Sequence, residues 1–182
     1  MATLFDFKTL TQAQRSAAAE VLRIALAHLP SGYQGSGDAE AEVALRCGED
    51  DWLGIAALEG ERLIGWVGAI RTYSHGWELH PLVVMPDRQR HGIGSALLAA
   101  IEDRARRDGV LTMFFGTDDE HGGTTLFGRD LWPDLAHHTA TVEPSARGHA
   151  LGFYRRHGYQ VIGVLPDVNG AGRPDILMAK RL

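Results

Sequence analysis

The sequence predicts a mixed α/β fold, and three features predict it. Ala18, Val21, Leu22, Ala25 and Leu29 recur at helical spacing near the start of the chain. Two apolar runs joined by Glu59-Gly60-Glu61 then read as a β-hairpin. From about residue 77 onward, strand patterns and helix patterns alternate.

Each element has a local reason. Thr11 with Gln14 forms a helix-opening capping box, and Pro30 stops the helix that follows. Residues 31–37 are a loop rich in Gly and Ser, after which Asp38 caps a second helix running to about Cys47. Residues 52–58 and 62–71 form the hairpin, and 77–85 the next strand, ended by Pro86. A long helix over 94–108 buries Leu97, Leu98, Ile101 and Ala105, with Gly109 at its C-terminal cap. Residues 110–115 are a strand, and 148–157 a helix stopped by Gly158. Strands over 159–165 and 175–180 close the chain. Residues 116–148 form a polar, Gly-rich insertion without a clear pattern, and an insertion of that length is expected to carry function.

At 182 residues a single domain over 1–182 is expected, with chain enough for one sizeable core. No apolar run reaches the roughly 18 residues of a membrane span, and the first residues lack a signal-peptide pattern. A cytoplasmic location is therefore expected. Cys47 stands alone, which excludes a disulfide framework and a Cys-based zinc site. With 18 basic against 23 acidic residues the formal net charge is −5, which disfavours nucleic-acid partners. His121, His137 and His138 match no metal-ligand spacing, so no metal is expected.

Between the fourth strand and the long helix lies Arg88-Gln89-Arg90-His91-Gly92-Ile93-Gly94-Ser95. Glycines there let the backbone approach a ligand, and a helix N-terminus offers unpaired N–H groups and a partial positive charge. A pyrophosphate suits such a turn, with Arg88 and Arg90 adding charge; a tight strand-to-helix connection explains the same glycines.

Gln89-x-x-Gly92-x-Gly94 leading into Ala96-Leu97-Leu98 resembles the acetyl-CoA-binding signature of the GNAT superfamily of N-acetyltransferases. More specific are Gly76-Trp77-Glu78-Leu79-His80-Pro81-Leu82-Val83-Val84, Gly116-Thr117-Asp118-Asp119 and Gly123-Thr124-Thr125-Leu126. With Phe153-Tyr154, Gly158-Tyr159, Asn169-Gly170 and Pro174-Asp175-Ile176, these resemble bacterial aminoglycoside 6′-N-acetyltransferases. The resemblance implies a mostly antiparallel central sheet flanked by helices, with splayed central strands and acetyl-CoA as co-substrate. It points to Val83, Val84, Gln89, Arg90, His91, Gly92, Ile93, Gly94, Ser95 and Tyr154 for the coenzyme, and to a homodimer.

Acetyl transfer to an amine needs a base, a donor for the tetrahedral oxyanion and an acid for the thiolate. On a strand Glu78, His80 and Leu82 project to one side. Pro81 lacks an N–H and interrupts pairing, so the Leu82 N–H is available to an oxyanion. Glu78 suits removal of the amine proton and attraction of a cation, and an imidazole, with an ordinary pKa of about 6.5, suits the same task. A half-buried His80 and a solvated Glu78 are the structural alternative. The resemblance places Tyr154 at the coenzyme sulfur as the acid; by its own pattern, a helical Tyr beside Phe153 reads as core.

Residues 111–143 hold six acids, Asp118, Asp119, Glu120, Asp130, Asp134 and Glu143, against Arg129 alone, and the rest of the chain is balanced. A cationic amine fits this span. Asp118, Asp119 and Asp175 are its expected contacts, and Trp77, Tyr73 and Tyr33 read equally as packing on sugar faces or as core; a solvated acidic loop is the alternative for the acids. One residue departs from the resembling enzymes, Leu29 where a tryptophan precedes the proline. Three functions are in view: an aminoglycoside 6′-N-acetyltransferase, an N-acetyltransferase of another polyamine, metabolite or protein amine, and a non-catalytic acyl-CoA-binding module.

Overall fold

Thr11 and Gln14 open the first long helix as their pairing predicts. The Gln14 amide donates to Thr11 Oγ1 at 3.3 Å, and the Thr11 amide donates to Gln14 Oε1 at 2.9 Å. A computed structural model describes residues 2–30 and 32–182. Met1 and Ser31, expected at the chain start and in the loop after that helix, lie outside the described residues.

The chain divides into two units, Met1–Met113 with Leu182, and Phe114–Arg181. The first contains β1 (Thr3–Asp6), α1 (Gln12–Ala25), α2 (Asp38–Gly48), β2 (Trp52–Glu59), β3 (Arg62–Ile70), β4 (Gly76–Val84) and α3 (Ile93–Arg107). β5 (Thr112–Asp118) leads into the second, which contains α4 (Leu135–Thr141), α5 (Ala150–Arg156), β6 (Gln160–Leu165) and β7 (Asp175–Arg181). The sheet has seven strands in the order β1-β2-β3-β4-β5-β7-β6. The pairs β1/β2, β2/β3, β3/β4 and β6/β7 are antiparallel, as the resemblance implies.

An aromatic trio centres the first unit. Phe7 lies 5.2 Å from Trp52 and 4.9 Å from Trp66, centroid to centroid. Both indoles are fully buried, each worth about 2–3 kcal/mol of burial. Each also satisfies its polar atom, Trp66 on the Ala18 carbonyl at 3.0 Å and Trp52 on the His80 carbonyl at 3.2 Å.

Several boundaries differ from expectation for local reasons. α1 ends at Ala25 with Leu26 as its C-cap, and turn bonds from the Ala27 amide to Ile24 and from the Leu29 amide to Leu26 carry the chain on to Pro30. Gly37, at φ 87°, is the N-cap of α2; Asp38 is the first helical residue and its carboxylate accepts from the Gly35 amide at 2.8 Å. β5 starts two residues late because α3 ends in a Schellman motif. The Gly109 amide bonds the Arg106 carbonyl and the Val110 amide bonds Ala105, which keeps Val110 out of the strand. Strand β1 and helix α4 carry no pattern that predicts them.

Candidate active site

On β4, Leu79 pairs with Ala69 and Leu82 with Val67, so His80 and Pro81 together face the single residue Gly68. This two-for-one arrangement is a β-bulge, the interruption expected at Pro81; its His80–Pro81 bond is cis. The bulge resets side-chain alternation. Val67 and Ala69 share a face of β3, so Leu82 joins the face of Leu79 rather than that of Glu78. This corrects the expectation that Glu78, His80 and Leu82 project together, since a spacing of two keeps one face only while every residue has one partner. Gly68 is required here, because a Cβ would press on the His80 carbonyl and the Trp52 indole. Glu78 is half-buried, and its side chain makes no hydrogen bond or ion pair among the described residues.

His80 is held at two points. Trp52 holds its carbonyl, and its ring Nε2 lies 3.2 Å from Glu42 Oε1 on α2. The same Glu42 oxygen accepts from Arg46 Nε at 2.7 Å, and Arg46 reaches Glu49 at 2.7 Å. The hydrogen bond from His80, joined by Arg46, overcomes the opposing effect of burial and holds the Glu42 carboxyl at about 2. Glu42 was missed from the sequence, where its spacing to Arg46 reads as an ordinary helical ion pair.

The turn after β4 is built by its own side chains. Gln89 Nε2 donates to the Val84 carbonyl at 3.1 Å, and the His91 ring contacts the Gln89 carbonyl at 2.8 Å. Gly92, at φ 81°, is the N-cap of α3, which begins at Ile93, one residue ahead of the expected start, and no side chain caps the helix. The amides of Ile93 and Gly94 thus have no helical acceptor, a geometry that suits pyrophosphate oxygens. Arg88 is committed elsewhere, to Glu59 at 2.9 Å and Asp87 at 3.0 Å. Arg90, at φ 62°, is exposed and makes no ion pair among the described residues. Val83 is buried in the core and Val84 nearly so.

Trp77 is 3% exposed and the Arg71 guanidinium lies 5.3 Å over its ring. Of its two readings, sugar platform or core, this burial favours the core. Tyr73 is exposed and, with Arg71, Trp77 and Asp108, lines a cavity of about 550 Å³. Tyr33 is half-buried, and burial pushes its hydroxyl up to about 12.

In the second unit Asp119 is fully buried. Its oxygens accept from the amides of Gly122, Gly123 and Thr124 at 3.0, 2.7 and 2.8 Å and from the Thr124 hydroxyl at 2.6 Å. These donors fill the carboxylate, so Asp119 builds its loop and has no lone pair left for a substrate, a correction to its expected contact. Asp118 accepts from the Asn169 side chain, and Asp175 lies against Gly116, where any Cβ would collide with the carboxylate. Glu143 pairs with Arg155 at 2.7 Å and Asp134 caps α4 through the His137 amide. The six acids therefore do not form one solvated face; most serve local structure.

Tyr154 is 8% exposed, with its ring 4.2 Å from Phe115 and 5.7 Å from Tyr159. A second Schellman motif fixes it from behind: the Gly158 amide bonds Arg155 and the Tyr159 amide bonds the Tyr154 carbonyl. Burial pushes its hydroxyl well above the usual phenol range. At the other end of α5, His149 Nδ1 accepts from the Leu151 amide at 3.1 Å, so Nε2 carries the proton and donates to the Asp118 carbonyl at 3.0 Å. His149 was also missed from the sequence, where no pattern marks a histidine as a helix cap.

The strand, glycine turn and helix just described fall within residues 20–125, which match the acetyltransferase (GNAT) family. The chain belongs to the GNAT acetyltransferase family. Among solved structures, an aminoglycoside 6′-N-acetyltransferase complexed with coenzyme A shares 35% identity and a TM-score of 0.88, over 98% of this chain and 96% of that one. The aminoglycoside 6′-N-acetyltransferase from Enterococcus faecium shares 34% identity and a TM-score of 0.86 over the same shares. Aminoglycoside 6′-acetyltransferase type Ii shares 30% identity and a TM-score of 0.70 over 100% and 96%. Among curated protein sequences none matches.

The protein is thus an acetyl-CoA-dependent acetyltransferase. In its first unit the acetyltransferase carries Glu78, His80 and the glycine turn on one strand and its exit. In its second it carries Asp118, Asp175 and Tyr154. Among the described residues no group of three or more His, Cys, Asp or Glu is arranged to hold a metal, and no helix is long and apolar enough to cross a membrane.

Proposed function

We propose that this acetyltransferase acetylates the 6′-amine of aminoglycosides by direct transfer. The carrying observation is its 35% and 34% identity with two aminoglycoside 6′-N-acetyltransferases over 98% of its length, which takes in both units. Acetyl-CoA supplies the acetyl group as a thioester. The amides of Ile93 and Gly94, with Arg90, hold the pyrophosphate at the start of α3.

Glu78 takes the proton from the attacking amine, directly or through a water, and attracts the cationic drug beforehand. Its unengaged carboxylate supports both tasks. His80 is the second proton acceptor at this strand. As the C–N bond forms, the Leu82 N–H donates to the oxyanion; as the C–S bond breaks, Tyr154 gives its proton to the thiolate. A raised hydroxyl pKa keeps Tyr154 protonated and able to donate at neutral pH. Asp118, Asp175 and Tyr73 supply further contacts to the substrate, and a homodimer is the proposed assembly.

Thiol release from acetyl-CoA tests the reading directly. Kanamycin-type drugs bearing a 6′-amine should release coenzyme, and analogues with a 6′-hydroxyl should not. Release with polyamines or peptide amines but with none of the drugs would overturn it in favour of another acceptor.

A further inference from the structure

We propose that Glu42 is a positioning residue that fixes His80 with its proton on Nε2, leaving Nδ1 as the atom that accepts the amine proton. The inference rests on the reading of His80 as a proton acceptor in acetyl transfer. Three observations support it. Glu42 Oε1 lies 3.2 Å from His80 Nε2, and an ionised carboxylate only accepts, so the ring nitrogen facing it is the donor. Glu42 is itself locked, at 14% side-chain exposure, by Arg46, and Arg46 is locked by Glu49. The His80 carbonyl accepts from Trp52 Nε1 at 3.2 Å, which helps hold the backbone that carries the ring. Nδ1 has no partner among the described residues.

The logic is that of an acid–imidazole pair. A carboxylate behind the imidazole selects one tautomer and compensates the imidazolium that forms when the other nitrogen is protonated. The substrate's ammonium gives its first proton to Glu78 before attack; its second moves from the attacking nitrogen to His80 Nδ1 as the C–N bond forms, and returns to solvent after the acetylated amine leaves. The charged groups linked to the imidazole are Glu42 directly, then Arg46 and Glu49 behind it on α2 and its end, and Glu78 lies two residues away on β4. Among the described residues only Glu42 bonds the ring.

Two measurements on the full chain decide it. Long-range ¹⁵N–¹H spectra of the wild-type protein at pH 8 should show His80 protonated at Nε2 and bare at Nδ1; the opposite tautomer overturns the proposal. Glu42→Gln, which keeps an oxygen for Arg46, should lower kcat with kanamycin by about 10-fold while leaving KM for acetyl-CoA within about two-fold. In a His80→Ala background the same substitution should change kcat by less than about two-fold. An equal loss in both backgrounds, or no loss in the wild-type background, overturns the inference. Unchanged turnover in His80→Ala alone overturns the role of His80 in the proposed mechanism, and the tautomer measurement still tells whether Glu42 sets the ring.

Discussion

The Thr124 hydroxyl donates to the fully buried Asp119 carboxylate at 2.6 Å, and three backbone amides of the same loop converge on that carboxylate. Removing the acceptor leaves four donors without a partner. Asp119→Ala should lower stability by about 3 kcal/mol, measured by urea unfolding. A loss below about 1 kcal/mol would return Asp119 to the pool of substrate contacts. Burial raises the Asp119 pKa, but the bonds from Thr124 and Gly123 outweigh it and the net shift is downward. Its contribution is therefore present above the ordinary carboxylate pKa of about 4 and is lost as pH falls through the lower folded value.

His149 should make the start of α5 sensitive to mild acid. Burial chiefly lowers its pKa, only partly offset by its bond to the Asp118 carbonyl. A base with a depressed folded pKa contributes stability that is complete above about 6.5 and lost as pH falls through the folded value. Protonation of Nδ1 also removes the acceptor of the Leu151 amide. Hydrogen exchange at Leu151 should lose protection between pH 7.5 and 5.5, corrected for intrinsic rates; constant protection would refute the cap's sensitivity.

Glu78→Gln keeps the size of the side chain and removes its basicity. Turnover with kanamycin should fall by about 10²-fold or more, with KM for acetyl-CoA little changed. A wild-type kcat in this variant would assign proton removal elsewhere on the strand.

Tyr154→Phe leaves the ring packing against Phe115 and Tyr159 in place and deletes one hydroxyl. Single-turnover measurements should show acetyl transfer slowed by about 10-fold or more, with acetyl-CoA affinity held within about three-fold. Equal rates would remove Tyr154 from the chemistry and leave it a core residue.

Much of the site was legible because it depends on neighbours in the chain. Gln89, Gly92 and Gly94 specify a strand-to-helix turn whose bonds are local, and the capping box of Thr11 and Gln14 spans one turn. Trp77 shows the limit of that legibility: an aromatic beside an acid reads equally as a sugar platform or as core until its burial under Arg71 is seen. Asp119 shows another, because a carboxylate in an acidic run has the same letters whether it faces solvent or gathers four donors.

By itself, the sequence determined the alternation of helix and strand, the glycine turn, and which strand carries Glu78 and His80. These follow from backbone preference and from periodicity over a few residues. Tertiary structure alone decided that Leu82 leaves the face of Glu78, that Glu42 stands behind His80, and that Asp119 is filled by its own loop. Each of these depends on a strand register or a side-chain partner brought in from another element. Leu82 is turned by the pairing of Val67 and Ala69, and His80 meets a carboxylate 38 residues away in the chain, a distance that no local pattern spans.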